Sequence, residues 1–393
     1  MAEKTIFHPG VKDGHFSDQY FNRAKQILEM DGYSPKVRMQ IFQRNNDVCV
    51  HGIDEVVAVL IDALGKEYKK LHVTAVPNGS IVNAWETVML IDGPYNLFAH
   101  LETIYLGILA RGSKVATNTY RCVKAANGKP VLLFNARFDR YENEKSDGQA
   151  YAVGCRAAGQ EPFGVSTDAQ GMYIGLNGQG TMPHALIAAY NGDTVQAAIK
   201  FATYMEPNIK RTVLVDFEND CVQTSKEVAK SMYRMYKETH NAKFILSAVR
   251  LDTSGTMVDR CIQKDMENVY PIRYVGKTKP TGVTPELVAH VRQGFIELAK
   301  SYGDRDGLTG FNYFDNIQIM VSGGFTADKI DMFEHNPLSK DCTHIYGVGS
   351  SIYNGNFDFT ADIVGHLDMN GNFVPVCKKG RTFIPNHNLE EVK

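Results

Sequence analysis

No two cysteines stand at C-x-x-C spacing, no apolar run approaches the ~18 residues that cross a bilayer, and no G-x-G-x-x-G opens a helix anywhere in the 393 residues. Each absence excludes something. The seven cysteines, at 49, 122, 155, 221, 261, 342 and 377, are odd in number and scattered. They argue against structural zinc and against a disulfide framework, and read as small core residues of a reducing compartment. The missing glycine fingerprint removes the main signature of a dinucleotide-binding, doubly wound sheet. Met1–Gly10 carries charges and no apolar stretch, so no secretory leader is expected and the reading is cytoplasmic, with no membrane partner. An excess of one charge is missing too. Forty-two Lys+Arg against 44 Asp+Glu leave a net charge of −2, which disfavours bulk binding to nucleic acid or anionic lipid. One local anion pocket remains compatible with that balance. There is no internal repeat and no low-complexity linker.

What is present is ordinary globular material, 44% hydrophobic and 22% charged. At roughly 150 residues per domain the length suggests two domains, or one barrel with additions. Over the first ~95 residues the pattern is a small α+β unit with an antiparallel sheet. Ser17–Met30 reads as a helix capped by Ser17, with Ala24, Ile27 and Leu28 on a buried face; Val37–Gln43 alternates as a half-buried strand. Asp54–Leu64 is helical and stops at Gly65, Leu71–Val76 and Glu86–Ile91 read as strands, and Pro77-Asn78-Gly79 and Asp92-Gly93-Pro94 read as turns.

From about residue 113 the strands become fully apolar: Pro130–Phe134, Thr212–Phe217, Phe244–Leu251, Ile317–Val321 and His344–Val348. Amphipathic helices such as Ser225–Thr239 and Pro285–Tyr302 lie between them, the pattern of a parallel sheet with crossovers and, over this length, of a βα barrel. In the tail, Asn370-Gly371 between apolar flanks predicts a hairpin that rejoins the N-terminal sheet. The domains expected are therefore an N-terminal α+β domain, 1–112, completed by 353–393, and a barrel over 113–352.

Two strand ends run into glycine and serine: Val321-Ser322-Gly323-Gly324 and Gly347-Val348-Gly349-Ser350-Ser351, one βα unit apart. Glycine lets backbone N–H groups approach an anion, and consecutive late strands of a barrel commonly form a phosphate site. Tight turns alone would need the same residues; the pair in consecutive units favours phosphate. Arg250 and Asp252 end another apolar strand, with Arg250 interrupting a buried pattern. Asp216, Glu218 and Asp220 repeat the arrangement one unit earlier, as oxygen ligands for Mg²⁺ or as helix N-terminal acids. His184 follows Gly180-Thr181-Met182-Pro183 where a helix begins, although a lone histidine is more often structural. Arg137 and Arg140, beside Phe134 and Phe138, suit a planar anion or an interface loop.

These segments together resemble the nicotinate phosphoribosyltransferase family and its nicotinamide-using relatives. The likeness rests on Asp18-Gln19-Tyr20, Leu101-Glu102-Thr103, Phe134-Asn135-Ala136-Arg137, Ser166-Thr167-Asp168, Gly180–His184, Arg250–Gly255 and the two glycine loops, in the family's order. It implies an irregular βα barrel with a discontinuous sandwich-like α+β domain built from both chain ends. It also implies transfer of phosphoribosyl pyrophosphate to nicotinate in NAD biosynthesis, with Mg²⁺ and with ATP hydrolysed through a phosphorylated His184. Asp168 and Asp252 would contact the ribose or the Mg²⁺–pyrophosphate, with Asp216 and Asp220 as metal ligands. Arg137 and Arg250 would meet the carboxylate and phosphates. Thr181, Ser322, Gly323, Gly324, Gly347, Gly349 and Ser350 would complete the substrate site. Phe138 or Phe134 would stack on the pyridine, opposite Tyr20 of a second subunit, in a homodimer with shared sites. The pattern departs from the family's after Asp252, where Thr253-Ser254-Gly255-Thr256 replaces D-S-G-D, and at Phe217-Glu218-Asn219-Asp220. No cysteine-rich zinc tail is present.

Alternatives are a related pyridine (nicotinamide or quinolinate), a barrel aldolase or isomerase of sugar phosphates, and a binding protein. The aldolase or isomerase would want a central strand lysine or a glutamate base, and no lysine is found inside the strand cores.

Overall fold

A computed structural model describes residues 7–269 and 279–392; residues 1–6, the start of the stretch read for a leader, lie outside them. The chain divides into two compact units: Met1–Tyr120 with Ser146–Pro162 and Tyr353–Lys393, and Arg121–Lys145 with Phe163–Ile352.

The first unit is built on a six-stranded sheet in the order Phe373–Pro375, Phe359–Leu367, Lys36–Gln43, Thr87–Pro94, His72–Ala75, Glu390–Glu391. The tail hairpin forms around Asn370-Gly371, and its long strand pairs antiparallel with Lys36–Gln43, from Val37 against His366 to Gln43 against Phe359. Helix Ile53–Leu64 drives Ile53, Val56, Leu60 and Ala63 into a core with Val37, Met39, Ile41 and Phe359. Burial of such side chains is worth ~1.5–3 kcal/mol each. The helix ends as expected at Gly65, whose φ of 55° releases the chain.

Several sequence expectations change here. Lys36–Gln43 is buried along both faces from Met39 onward, not half-buried, because the sheet is covered on each side. Gly93 is no turn: the strand runs on to Pro94, and a Cβ at Gly93 would fall 2.9 Å from the Lys70 carbonyl oxygen. The first helix is Gln19–Met30 and buries none of its residues, with Ile27 64% exposed. Asp18 takes the cap position, since the Ser17 hydroxyl donates to the His100 carbonyl. Helix Glu102–Ala125 runs through residue 112, where a boundary is expected. Helix Glu144–Ala157 lies mostly in the first unit; a Cβ at Gly154 would meet the Ala116 carbonyl, so the two helices approach closely there.

The second unit carries six parallel strands: β1 (Val131–Leu133), β2 (Gly164–Val165), β3 (Thr212–Leu214), β4 (Ala248–Leu251), β5 (Gln318–Val321) and β6 (Ile345–Val348). Their order is β2-β1-β6-β5-β4-β3, a curled half-barrel with no pairing between β2 and β3. The apolar runs are buried as the sequence requires, although β3 and β4 are shorter than read: the chain leaves the ladder after Val215, whose N–H donates to the Arg250 carbonyl, and Phe244 belongs to a 3-10 turn. Helix Pro285–Asp315 is longer than read and breaks at Gly307. Among the described residues, no helix is long and apolar enough to cross a membrane. Four cysteines, at 49, 122, 155 and 221, are buried.

Candidate active site

The carboxyl ends of β1, β2, β4, β5 and β6 surround a cleft of about 650 Å³, within the usual range for a small-molecule site. Its lining includes Phe134, Arg137, Phe138, Thr181, His184, Arg250, Asp252, Ser322, Gly323, Gly324, Gly347, Gly349 and Ser350, all named from the sequence. Among the described residues, Arg137, Arg250 and His184 face it against the single carboxylate of Asp252, so a nearly neutral chain carries a locally cationic pocket.

Each side chain is placed by its strand. On β4, Val249 and Leu251 are wholly buried, and the intervening Arg250 points the other way. Its guanidinium donates to Thr181 Oγ1 (2.6 Å) and to Asp252 Oδ2 (3.2 Å) and lies 5.3 Å from the Phe134 ring centroid. Its Nε is buried without a hydrogen-bond partner. Ser322 Oγ donates to the other oxygen, Asp252 Oδ1, at 2.8 Å, which fixes the carboxylate across the ends of β4 and β5. Gly323 and Gly324 follow at φ 85° and 70°, a region that a side chain would strain. At the end of β6 the glycines make room for rings. A Cβ on Gly347 would lie 2.8 Å from Phe134, and one on Gly349 would lie 2.8 Å from Phe138. Phe138 is 45% exposed with the Arg137 guanidinium 5.2 Å from its ring, whereas Phe134 is half-buried under Arg250.

His184 opens a short helix after Pro183, whose extended backbone delivers the imidazole to the cleft. Its Nε2 lies 2.9 Å and 3.0 Å from the two oxygens of Asp216. This hydrogen bond raises the His184 pKa, and the charges of Asp216 and Asp252 add to it, against opposing effects of burial and Arg250.

Not every expected residue converges. Asp216 is bound to His184 and lies outside the cleft lining, and Asp220 caps helix Cys221–Thr239 by accepting from Gln223 N at 3.3 Å. Among the described residues no group of three or more His, Cys, Asp or Glu side chains could hold a metal. Asp168 turns from the cleft to accept from Gly178 N (2.8 Å), while its neighbours Ser166 and Thr167 do line it. Arg140 is exposed and bound to Glu142 at 2.6 Å. Tyr20, expected to act from a second subunit, is 61% exposed. Missed by the sequence reading were Asp216 as the partner of histidine, and a buried Gln170 whose T-x-x-Q spacing from Thr167 is a readable capping box.

Comparison with known proteins bears on the fold. Residues 18–113 match the family described as "Quinolinate phosphoribosyl transferase, N-terminal domain". Nicotinate phosphoribosyltransferase 2 of Arabidopsis thaliana is 28% identical over 143 residues, 36% of this chain but only 24% of that protein's length. The structure of nicotinate-nucleotide pyrophosphorylase from Pyrococcus furiosus matches with a TM-score of 0.71 and 27% identity, over 97% of this chain and 82% of that one. Human nicotinic acid phosphoribosyltransferase, at 14% identity, shares the fold with a TM-score of 0.63 over 89% of this chain and 74% of its own. The fold is that of the quinolinate and nicotinate phosphoribosyltransferases. Residues 18–113 carry the N-terminal domain of the quinolinate phosphoribosyltransferase family, and the chain as a whole shares its fold with these solved structures.

Proposed function

We propose that the chain is a nicotinate phosphoribosyltransferase of NAD biosynthesis, converting nicotinate and phosphoribosyl pyrophosphate to nicotinate mononucleotide and pyrophosphate with hydrolysis of ATP. The observation that carries this reading is the His184–Asp216 pair at a cleft whose other walls are two arginines and two glycine turns. In the transfer, the pyridine nitrogen lone pair forms the bond to C1 of the ribose. The C1–O bond breaks, and its electron pair leaves with pyrophosphate. Positive charge gathers on the sugar, and Asp252, held by Ser322 and Arg250, is the carboxylate placed to stabilise it. Arg137 and Arg250 suit the carboxylate and phosphates, and Phe138 is the ring free to stack on the pyridine. Gly323, Gly324 and Gly349 bring backbone N–H groups to the 5′-phosphate.

Mg²⁺, when bound, would neutralise charge on the departing pyrophosphate; the donor set fits an ion carried mainly by substrate oxygens, with Asp252 as the protein carboxylate. For ATP, Asp216 holds Nε2–H of His184, which leaves the lone pair on Nδ1 as the nucleophile toward the terminal phosphoryl group. ADP leaves with the bond pair, and water later releases phosphate. The acting form is a cytoplasmic homodimer with sites shared between copies, without nucleic acid or membrane.

A second reading, quinolinate as acceptor, is favoured by the name of the matched N-terminal family. Quinolinate carries two carboxylates, however, and with Arg140 turned to Glu142, Arg137 and Arg250 are the arginines of the cleft among the described residues.

Product analysis tests the reading. The protein is incubated with phosphoribosyl pyrophosphate, Mg²⁺ and nicotinate, nicotinamide or quinolinate, with and without ATP, and pyrophosphate release is followed. Nicotinate is expected to be used, and faster with ATP; release with none of the three would overturn the reading. His184→Ala is expected to abolish the ATP stimulation and leave slow transfer.

A further inference from the structure

Gln170 belongs to none of the motifs read above, yet it is 1% exposed and sits beside the cleft in the short turn Asp168–Gly171. The orientation of its carboxamide is fixed by its partners. The backbone N–H groups of Ser166 (3.1 Å) and Thr167 (3.3 Å) point at one atom of it. An N–H can only donate, so that atom is the oxygen, Oε1. Nε2 then donates to Oδ1 of the fully buried Asn135, at 2.7 Å.

This orientation decides the polarity of two hydroxyls. Ser166 Oγ lies 3.0 Å from Oε1. A carbonyl oxygen has no proton to give, so Ser166 spends its single proton on Gln170. The Thr167 hydroxyl is committed as well: it donates to Glu144 Oε2 at 2.6 Å and accepts from Gln170 N at 3.3 Å. Ser166 and Thr167 both line the cleft, so they offer it lone pairs and no protons.

We propose that Gln170 is a positioning residue, tying the end of β1 to the end of β2 and making this corner an acceptor surface for sugar hydroxyls. The proposal rests on the phosphoribosyl reading above. A phosphate needs donors and is directed instead to the glycine turns of β5 and β6. The corner therefore binds the ribose edge of a sugar phosphate, in the place left by Asp168, which is occupied with Gly178.

Calorimetric titration of the whole protein with ribose 5-phosphate and, separately, with inorganic phosphate tests this without turnover. Gln170→Met keeps the length of the side chain, removes both hydrogen-bonding functions and frees the Ser166 proton. It is expected to weaken ribose 5-phosphate about tenfold, the effect of one or two hydrogen bonds, and to leave inorganic phosphate unchanged. Ser166→Ala, which does not disturb the carboxamide bridge to Asn135, is expected to show the same selective loss. Equal weakening of both ligands in Gln170→Met would mean a merely structural role, and an unchanged affinity in Ser166→Ala would remove the acceptor; either result overturns the proposal. So does a wild-type protein that binds ribose 5-phosphate no better than phosphate. A selective wild-type site with no turnover of any pyridine would overturn the transferase reading and leave the ribose corner standing.

Discussion

Asp216 reads in the sequence as a metal ligand because a carboxylate beyond an apolar strand looks alike whether it serves a cation or an imidazole. Only the approach of β3 to the turn before residue 184 puts it on His184 Nε2. The consequence for pH has a definite sign. A raised histidine pKa means that the pair stabilises the fold fully below the ordinary value near 6.5, with the contribution lost as pH rises through the raised value. Phosphoryl acceptance needs the opposite, a neutral ring, so the ATP-coupled rate is expected to climb as pH rises through that same value. In Asp216→Asn the climb should move to lower pH, and the plateau should fall roughly ten- to a hundredfold. The pH profile of ATP-dependent pyrophosphate release checks both. Arg250 was legible because an arginine inside a buried strand has few uses other than a site. Asp220 has a second use that the same spacing allows, since Asp220-x-x-Gln223 is also a helix cap and Asp220 caps the helix here.

At the scale of elements, the glycine loops were legible as a pair of strand ends in consecutive βα units, but their division of labour was not. Gly347 gives space to Phe134, a half-buried ring under Arg250, and Gly349 gives space to Phe138, an exposed one. Gly347→Ala is therefore expected to cost about 1–3 kcal/mol of stability through overpacking, seen as a lower melting temperature. Gly349→Ala meets the exposed Phe138 ring and, at 3.1 Å, the Phe134 carbonyl oxygen, so it is expected to raise the KM for nicotinate in addition to a smaller loss of melting temperature. Equal melting temperatures with equal KM values would contradict this assignment. Helix Gln19–Met30 shows the reverse case, since its amphipathic pattern was read correctly and its burial was not. An apolar stripe specifies that something should cover it, without saying that the cover lies in the same chain.

For the whole molecule, that uncovered stripe bears on the proposed dimer. Tyr20, Ile27 and Met30 are 61%, 64% and 81% exposed, a cost that a second copy would relieve. Light scattering is expected to find a dimer, and Ile27→Glu combined with Met30→Glu is expected to give a folded monomer with little transferase activity. A wild-type monomer at micromolar concentration would count against shared sites. The glutamates would disturb no buried contact of the helix, because it has no buried residue.

The class of the fold, the discontinuous sheet and most of the cleft lining follow from the residue pattern alone. Apolar runs without alternation must be buried on both faces, Asn-Gly between apolar flanks must turn, and glycine–serine strand ends have few other uses. These are local consequences of period, backbone freedom and side-chain chemistry. The tertiary structure alone decided which acid holds His184, that Asp168 and Arg140 turn away, and that Gln170 orients the hydroxyls of Ser166 and Thr167. Those assignments depend on which strand ends meet in space, and hydrogen bonds across 32 or 35 residues leave no period in the sequence from which to read them.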